Sequence, residues 1–180
     1  MKSALFIILL GGIACFGQAF TFGDFQSATT GIPAASPHLG GNILTNSDFE
    51  TGQFYGWYFP DGTGGFAVQT LNTNFVHTGT YGGSMGPGSL RHFVQTNATD
   101  IGASYQLSFF LHGDGQTPNQ FQVIWNGATN FDQSNLTFTG WTNMIFTLAA
   151  TATNTVLSFG FQNSPSFFGF DDITLQEWLP

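Results

Sequence analysis

From residue 42 to the end of the chain, apolar side chains recur at every second position in short runs separated by turn residues. YQLSFFL at 105–111 sets Tyr105, Leu107, Phe109 and Leu111 on one side and Gln106, Ser108 and Phe110 on the other. QFQVIWNG at 120–127 groups Phe121, Val123 and Trp125 and ends in Asn-Gly, a hairpin turn signal. Met144, Phe146 and Leu148 alternate in the next run, and Leu157, Phe159 and Phe161 in the one after. A period of two is that of a strand with one buried face. With GFAVQT, SLRHFVQT, the region around FYGWYF and a closing run at 167–176, the pattern predicts eight or nine strands and no helix in the main body. Short strands at this spacing predict an all-β protein, an antiparallel jelly-roll β-sandwich. No internal repeat is present, which argues against a solenoid or propeller.

The first 41 residues do not follow this pattern. Residues 1–19 combine Lys2, the apolar stretch ALFIILLGGIA and small residues at Gly17 and Ala19, the layout of a secretory signal cleaved after Ala19. The stretch is too short to span a membrane. Residues 20–41 have no regular period, contain two prolines and read as a leader, so the β domain is expected at 42–180. Cys15 is the single cysteine. Cleavage after Ala19 leaves no thiol for a disulfide, and lipidation of Cys15 is the second reading, since Gly12 stands where such signals carry Leu. Both readings take the protein out of the cytoplasm.

Charge narrows the partners. Without the signal, Arg91 is the only Lys or Arg against ten acids, a formal charge of −9. Nucleic-acid binding needs clustered cations to displace counterions from phosphate, and attraction to anionic lipid needs the same. The chain has neither. Its 22 Phe and 24 Gly, with only 7% charged residues, fit a strand-rich fold and oppose disorder.

The landmarks occur in a telling order: NILTNSDFETGQFYGW at 42–57, HTGTYGGSM at 77–85, the paired runs at 105–127, Gly140-Trp141, and LSFGFQNSPSFFGFDDITL at 157–175. This order resembles the secreted β-sandwich domains of bacterial PEP-CTERM-type exported proteins. They in turn are similar to the calcium-containing, galactose-binding-like jelly rolls of carbohydrate-binding modules. The resemblance covers residues 42–177. The chain ends in EWLP, without the Pro-Glu-Pro motif, apolar helix and basic tail of a sorting signal, so sorting by that route is not implied.

The resemblance implies a cation where the first Phe-Glu turn meets the closing Asp-Asp pair. Carried over by residue, this names Glu50 and Asp171, with Asp172 and Asp48 as further ligands. Calcium takes six to eight oxygens, carboxylate and main-chain carbonyl alike. Two acids inside the apolar run FGFDDITL need a counter-charge, and Arg91 is the one cation left to supply it. Strict alternation puts Asp171 on the face of Ile173 and Leu175.

For a glycan, Phe110 and His112 stand on the face opposite Tyr105, Leu107 and Phe109, while Gln106, Gln122 and Asn126 offer amides and Arg91 a cation. At least two of Trp57, Trp125 and Trp141 are expected in the core, and His77 is expected to be structural. His38, His77, His92 and His112 lack zinc spacing. No nucleophile elbow, P-loop or metalloprotease motif occurs, and Asp114 with Asp132 is the only carboxylate pair that invites a glycosidase reading. The expected function is a secreted, non-catalytic module for extracellular or cell-wall polysaccharide. The alternative is a self-associating matrix or biofilm protein, which Phe-, Gly- and Asn-rich strands of low charge would suit.

Overall fold

The structure, a computed structural model, describes residues 36–180. The expected signal at 1–19, Cys15 and the leader up to residue 35 lie outside the described residues. Ten strands build the domain: β1 (His38–Asn42), β2 (Phe66–Thr70), β3 (Tyr81–Met85), β4 (Arg91–Ala98), β5 (Ser104–Asp114), β6 (Gln120–Trp125), β7 (Ala128–Ser134), β8 (Thr139–Ala149), β9 (Asn154–Gln162) and β10 (Phe168–Leu179). They form two antiparallel sheets, an all-β sandwich as the alternation predicts. The larger sheet runs β2-β3-β10-β5-β8, with β1 also paired to β10; the smaller runs β4-β9-β6-β7. No helix among the described residues is long and apolar enough to cross a membrane.

Two boundaries differ from the sequence reading. β1 starts at His38 and pairs with β10 as His38↔Leu179 and Asn42↔Gln176, so residues 38–41 belong to the sheet and not to a leader. Residues 54–59 form no strand; within that stretch only Tyr58 bridges to β4, at Val94.

The buried set follows the period of two. β5 buries Tyr105, Leu107, Phe109 and Leu111, and β6 buries Phe121, Val123 and Trp125. Phe109 from the larger sheet meets Phe121 and Phe159 from the smaller with ring centroids 5.6 and 5.2 Å apart, and Phe170 meets Phe159 at 4.8 Å. Such edge-on pairs add to the area they bury. A second aromatic group, Phe49, Phe54, Trp57 and Phe93, closes one side, with Trp57 stacked on Phe93 at 4.1 Å. Trp57 and Trp125 are core, as expected, and each indole N–H is satisfied by a main-chain carbonyl, of Asn46 and Ala149 respectively.

Candidate functional site

The Asp-Asp pair sits at an irregularity in β10. Pairing with β5 is regular through Asp171↔Phe110 and resumes at Thr174↔Ser108 with a shifted register. Asp172 has φ of 51°, the geometry of a bulge. The extra residue reverses the expected alternation: Phe170 and Leu175 point into the core, opposite Leu111 and Leu107, whereas Asp171 lies opposite the outward Phe110. Asp171 is nevertheless fully buried, because residues 71–80 cross the outer face of the sheet above it.

That crossing segment is held by acids. Asp171 Oδ2 accepts the His77 N–H at 2.8 Å and the Thr78 N–H at 3.3 Å, and its Oδ1 accepts the Asp172 N–H at 2.8 Å. Asp172 accepts Thr78 Oγ1–H at 2.7 Å and the Nδ1–H of His77 at 2.6 Å. Glu50 Oε1 accepts the N–H groups of Thr80 and Tyr81 at 2.8 and 2.9 Å. Asp48 accepts the Glu50 N–H inside its own turn at 3.3 Å. Glu50, Asp171 and Asp172 therefore grip successive positions of one turn, His77–Tyr81, from both sides. Burial raises the Asp171 carboxyl to a pKa of about 7, against the pull of the three N–H donors.

Aromatic rings complete the clamp. His77 stacks on Phe110 at 3.7 Å, and Trp141 stands edge-on to His77 and His112 while its Nε1–H donates to Thr73 O at 2.9 Å. The His112 pKa is lowered by burial, with Asp114 opposing. Phe110 and His112 do face outward, as the alternation predicts, but His77 of the turn covers Phe110 and Trp141 stands against His112. Gly169 and Gly82 leave the room the crossing segment needs: a Cβ at Gly169 would strike Asn74 O, His112 and Trp141, and one at Gly82 the main chain of Phe75. Gly169→Ala is expected to lower stability by about 1–3 kcal/mol, the range for overpacking, read as a shift in the urea midpoint.

Whether a cation fits here turns on the donors. Among the described residues no three His, Cys, Asp or Glu side chains form a metal-holding group. Two carboxylates, Glu50 and Asp171, flank a turn that directs main-chain N–H groups at them, and both hydrogen bonds to Glu50 end on Oε1. Carboxylate oxygens suit calcium better than zinc. The buried Asp171 carboxyl has N–H donors about it and no basic side chain among its described partners.

The remaining sequence candidates fall on separate surfaces. Gln106 lies on the outer face of the larger sheet, level with Gln176 and Thr147. Asn126 occupies the β6–β7 turn with φ of 48° and donates to Thr151 Oγ1. Arg91 lies against Gly62 and Gly64. Gln122 belongs to the outer face of the smaller sheet. Asp114 and Asp132 stand on different sheets, the first bonded by Ser166, the second by Gln120 and Gln122.

The outer face of the smaller sheet is where polar, aromatic and small residues converge. Register places His92, Gly160, Gln122 and Asp132 in one row across four strands, and Val94, Ser158 and Ile124 in the next. Tyr58 extends the second row through reciprocal N–H···O bonds with Val94 at 2.8 and 2.9 Å, and its ring is 65% exposed. Gln120 and Gln122 aim their amides at the two oxygens of Asp132, at 2.7 and 2.9 Å. Opposite them, His92 donates its Nδ1–H and its main-chain N–H to Asp61 Oδ2, at 2.7 and 2.9 Å, and the His92 bonds lower the Asp61 pKa. Between them Ser158 is buried, and the side chains of Gln122 and Leu90 lie over Gly160. Tyr58, His92, Asp61 and Asp132 were not singled out for this face from sequence. The alternation of buried Trp57 with Tyr58 is the one signal that could have placed the exposed ring.

No protein-family model matches the chain, and no curated protein matches it. Solved structures share the fold. TmCBM61, solved in complex with beta-1,4-galactotriose, is 22% identical, superposes with a TM-score of 0.58, and aligns over 76% of this chain and 98% of its own. Family 16 Carbohydrate Binding Module-2 is 18% identical with a TM-score of 0.57, over 74% and 99%. The CBM22-1 xylan-binding domain of Paenibacillus barcinonensis Xyn10C is 14% identical with a TM-score of 0.54, over 78% and 97%.

Proposed function

We propose that this protein is an exported, non-catalytic module that binds neutral polysaccharide on the outer face of its smaller sheet. The observation that carries the reading is the outer face along β9: an exposed tyrosine at its edge, two amides held on the Asp132 carboxylate on one side and the Asp61–His92 pair on the other. An aromatic face packs on the C–H surface of a pyranose, while Gln122, Asp132 and the Asp61–His92 pair offer acceptors and donors to its hydroxyls. Arg91 is the only described Lys or Arg, so the face offers little to a uronic acid polymer. The fold shared with modules whose structures contain a galactotriose or that bind xylan supports a glycan as the ligand class.

One structural calcium between Glu50 and Asp171 belongs to the same reading. It would supply the counter-charge for the buried carboxylate and tie the turn at 77–81 to the first and last segments of the domain.

Retention on insoluble polysaccharides and a glycan array tests the binding. Tyr58→Ala is expected to weaken retention about tenfold, the cost of removing one aromatic anchor, without moving the melting temperature. If the wild type is retained on no glycan, the reading fails.

A further inference from the structure

We infer that β8 is a self-pairing edge through which two copies of this chain form a closed dimer. Each sheet edge ends differently. β2 and β1 are five residues long, and β1 carries a register shift. β4 is capped by the Tyr58 bridge. β7 is bulged against β6 and bears Asp132. Short length, bulges, charge and cover are the usual protections of an edge. β8 has none of these. It is eleven residues long, TGWTNMIFTLA, pairs with β5 without interruption from Thr139 to Ala149, and contains no charge and no proline.

A second observation lies beside that edge. Ile145 is 58% exposed on the outer face of β8. On its inner side Met144 and Phe146 are only partly buried, and with Phe131, whose ring meets that of Phe146 at 5.9 Å, they form an apolar seam at this flank of the sandwich. Pairing β8 with another strand would cover the seam and satisfy the edge together.

The occupant is a second copy. A strand pairs antiparallel with itself about a two-fold axis, so both partners present the same uncharged residues, and two acidic chains meet where neither strand carries an acid. Eleven residues provide about ten ladder hydrogen bonds, joining two six-stranded sheets into one. The symmetry consumes both β8 edges, so the assembly stops at two. This pairing does not depend on the glycan reading, since that face belongs to the other sheet. If both hold, the dimer presents two such faces and gains avidity on a polymer.

Sedimentation velocity across a concentration series, with the purified protein as its host processes it, tests the proposal. The wild type is expected to sediment as a dimer. Ile145→Lys/Thr147→Lys brings four like charges together across the two-fold and should weaken the dimer about a hundredfold or more, with a urea midpoint equal to that of the wild type diluted to monomer. Hydrogen exchange on the wild type reads the same edge without a mutation: β8 amides should be slow when concentrated and quicken on dilution. A monomer at every concentration, a variant that still dimerises, assemblies that keep growing, or β8 exchange that ignores concentration would each overturn it.

Discussion

Asp171→Ala is expected to destabilise the domain by about 3–5 kcal/mol, because it removes the acceptor of three N–H groups in a site closed to water. The side chain is fully buried, so the main-chain donors of His77, Thr78 and Asp172 have no ready solvent to turn to. Loss of the grip on His77 and Thr78 should free the crossing segment, with the His77–Phe110 stack and the Trp141–Thr73 bond lost in turn. Urea denaturation measures the drop, and the fluorescence of Trp141 reports release of the segment. Calcium makes the prediction sharper. If the ion binds the folded form and not the unfolded chain, wild type should melt lower in chelator, whereas Asp171→Ala should melt at the same temperature with and without calcium. A wild-type melt indifferent to chelator, with no metal found by elemental analysis, removes the ion but leaves the hydrogen-bond argument standing. A mutant as stable as wild type removes both.

What could be read in the chain was the part governed by a simple period. β5, β6, β8, β9 and β10 announce themselves because Phe, Leu, Val and Ile fall on alternate positions and the sandwich buries one face of each. β1, β3 and β7 do not. β3 is Tyr-Gly-Gly-Ser-Met, small because residues 75 and 76 lie against Gly82, and β7 is a polar edge with a single half-buried Phe131. Neither carries the alternation that marks a strand. The bulge at Asp172 was invisible for a related reason: alternation assumes an unbroken ladder, and one inserted residue turned Asp171 to the outer face. Its burial then came from a segment about 95 residues earlier in the chain, a tertiary fact that no local pattern encodes. The polar face of the smaller sheet is equally non-local, since its row of His92, Gly160, Gln122 and Asp132 exists only through the register of four strands.

The second large effect is a stability that falls as pH rises. In the unfolded chain Asp171 ionises near 3.8, and in the folded domain, desolvated and beside the Asp172 carboxylate, it does so at about 7. The folded state therefore holds this proton more tightly than the unfolded state does, and protonation favours folding. Below about pH 4 both states are protonated and burial of the carboxyl carries no ionisation cost. Between 4 and 7 the unfolded chain loses the proton first, so stability declines by a total on the order of 4 kcal/mol, and above 7 the dependence levels off. Asp61 works in the opposite sense: its pKa is lowered by His92, so its contribution is present at neutral pH and is lost on acidification. The difference between wild type and Asp171→Asn in chelator, measured by urea denaturation from pH 4 to 8, isolates the Asp171 contribution. Wild type should lose stability relative to the variant as pH rises. Added calcium should abolish or reverse that slope, because a bound cation favours the ionised carboxylate and draws its pKa back down. If the two proteins run parallel in chelator over this range, the Asp171 carboxyl ionises in the fold as easily as in water, and its burial beneath residues 71–80 is not the state in solution.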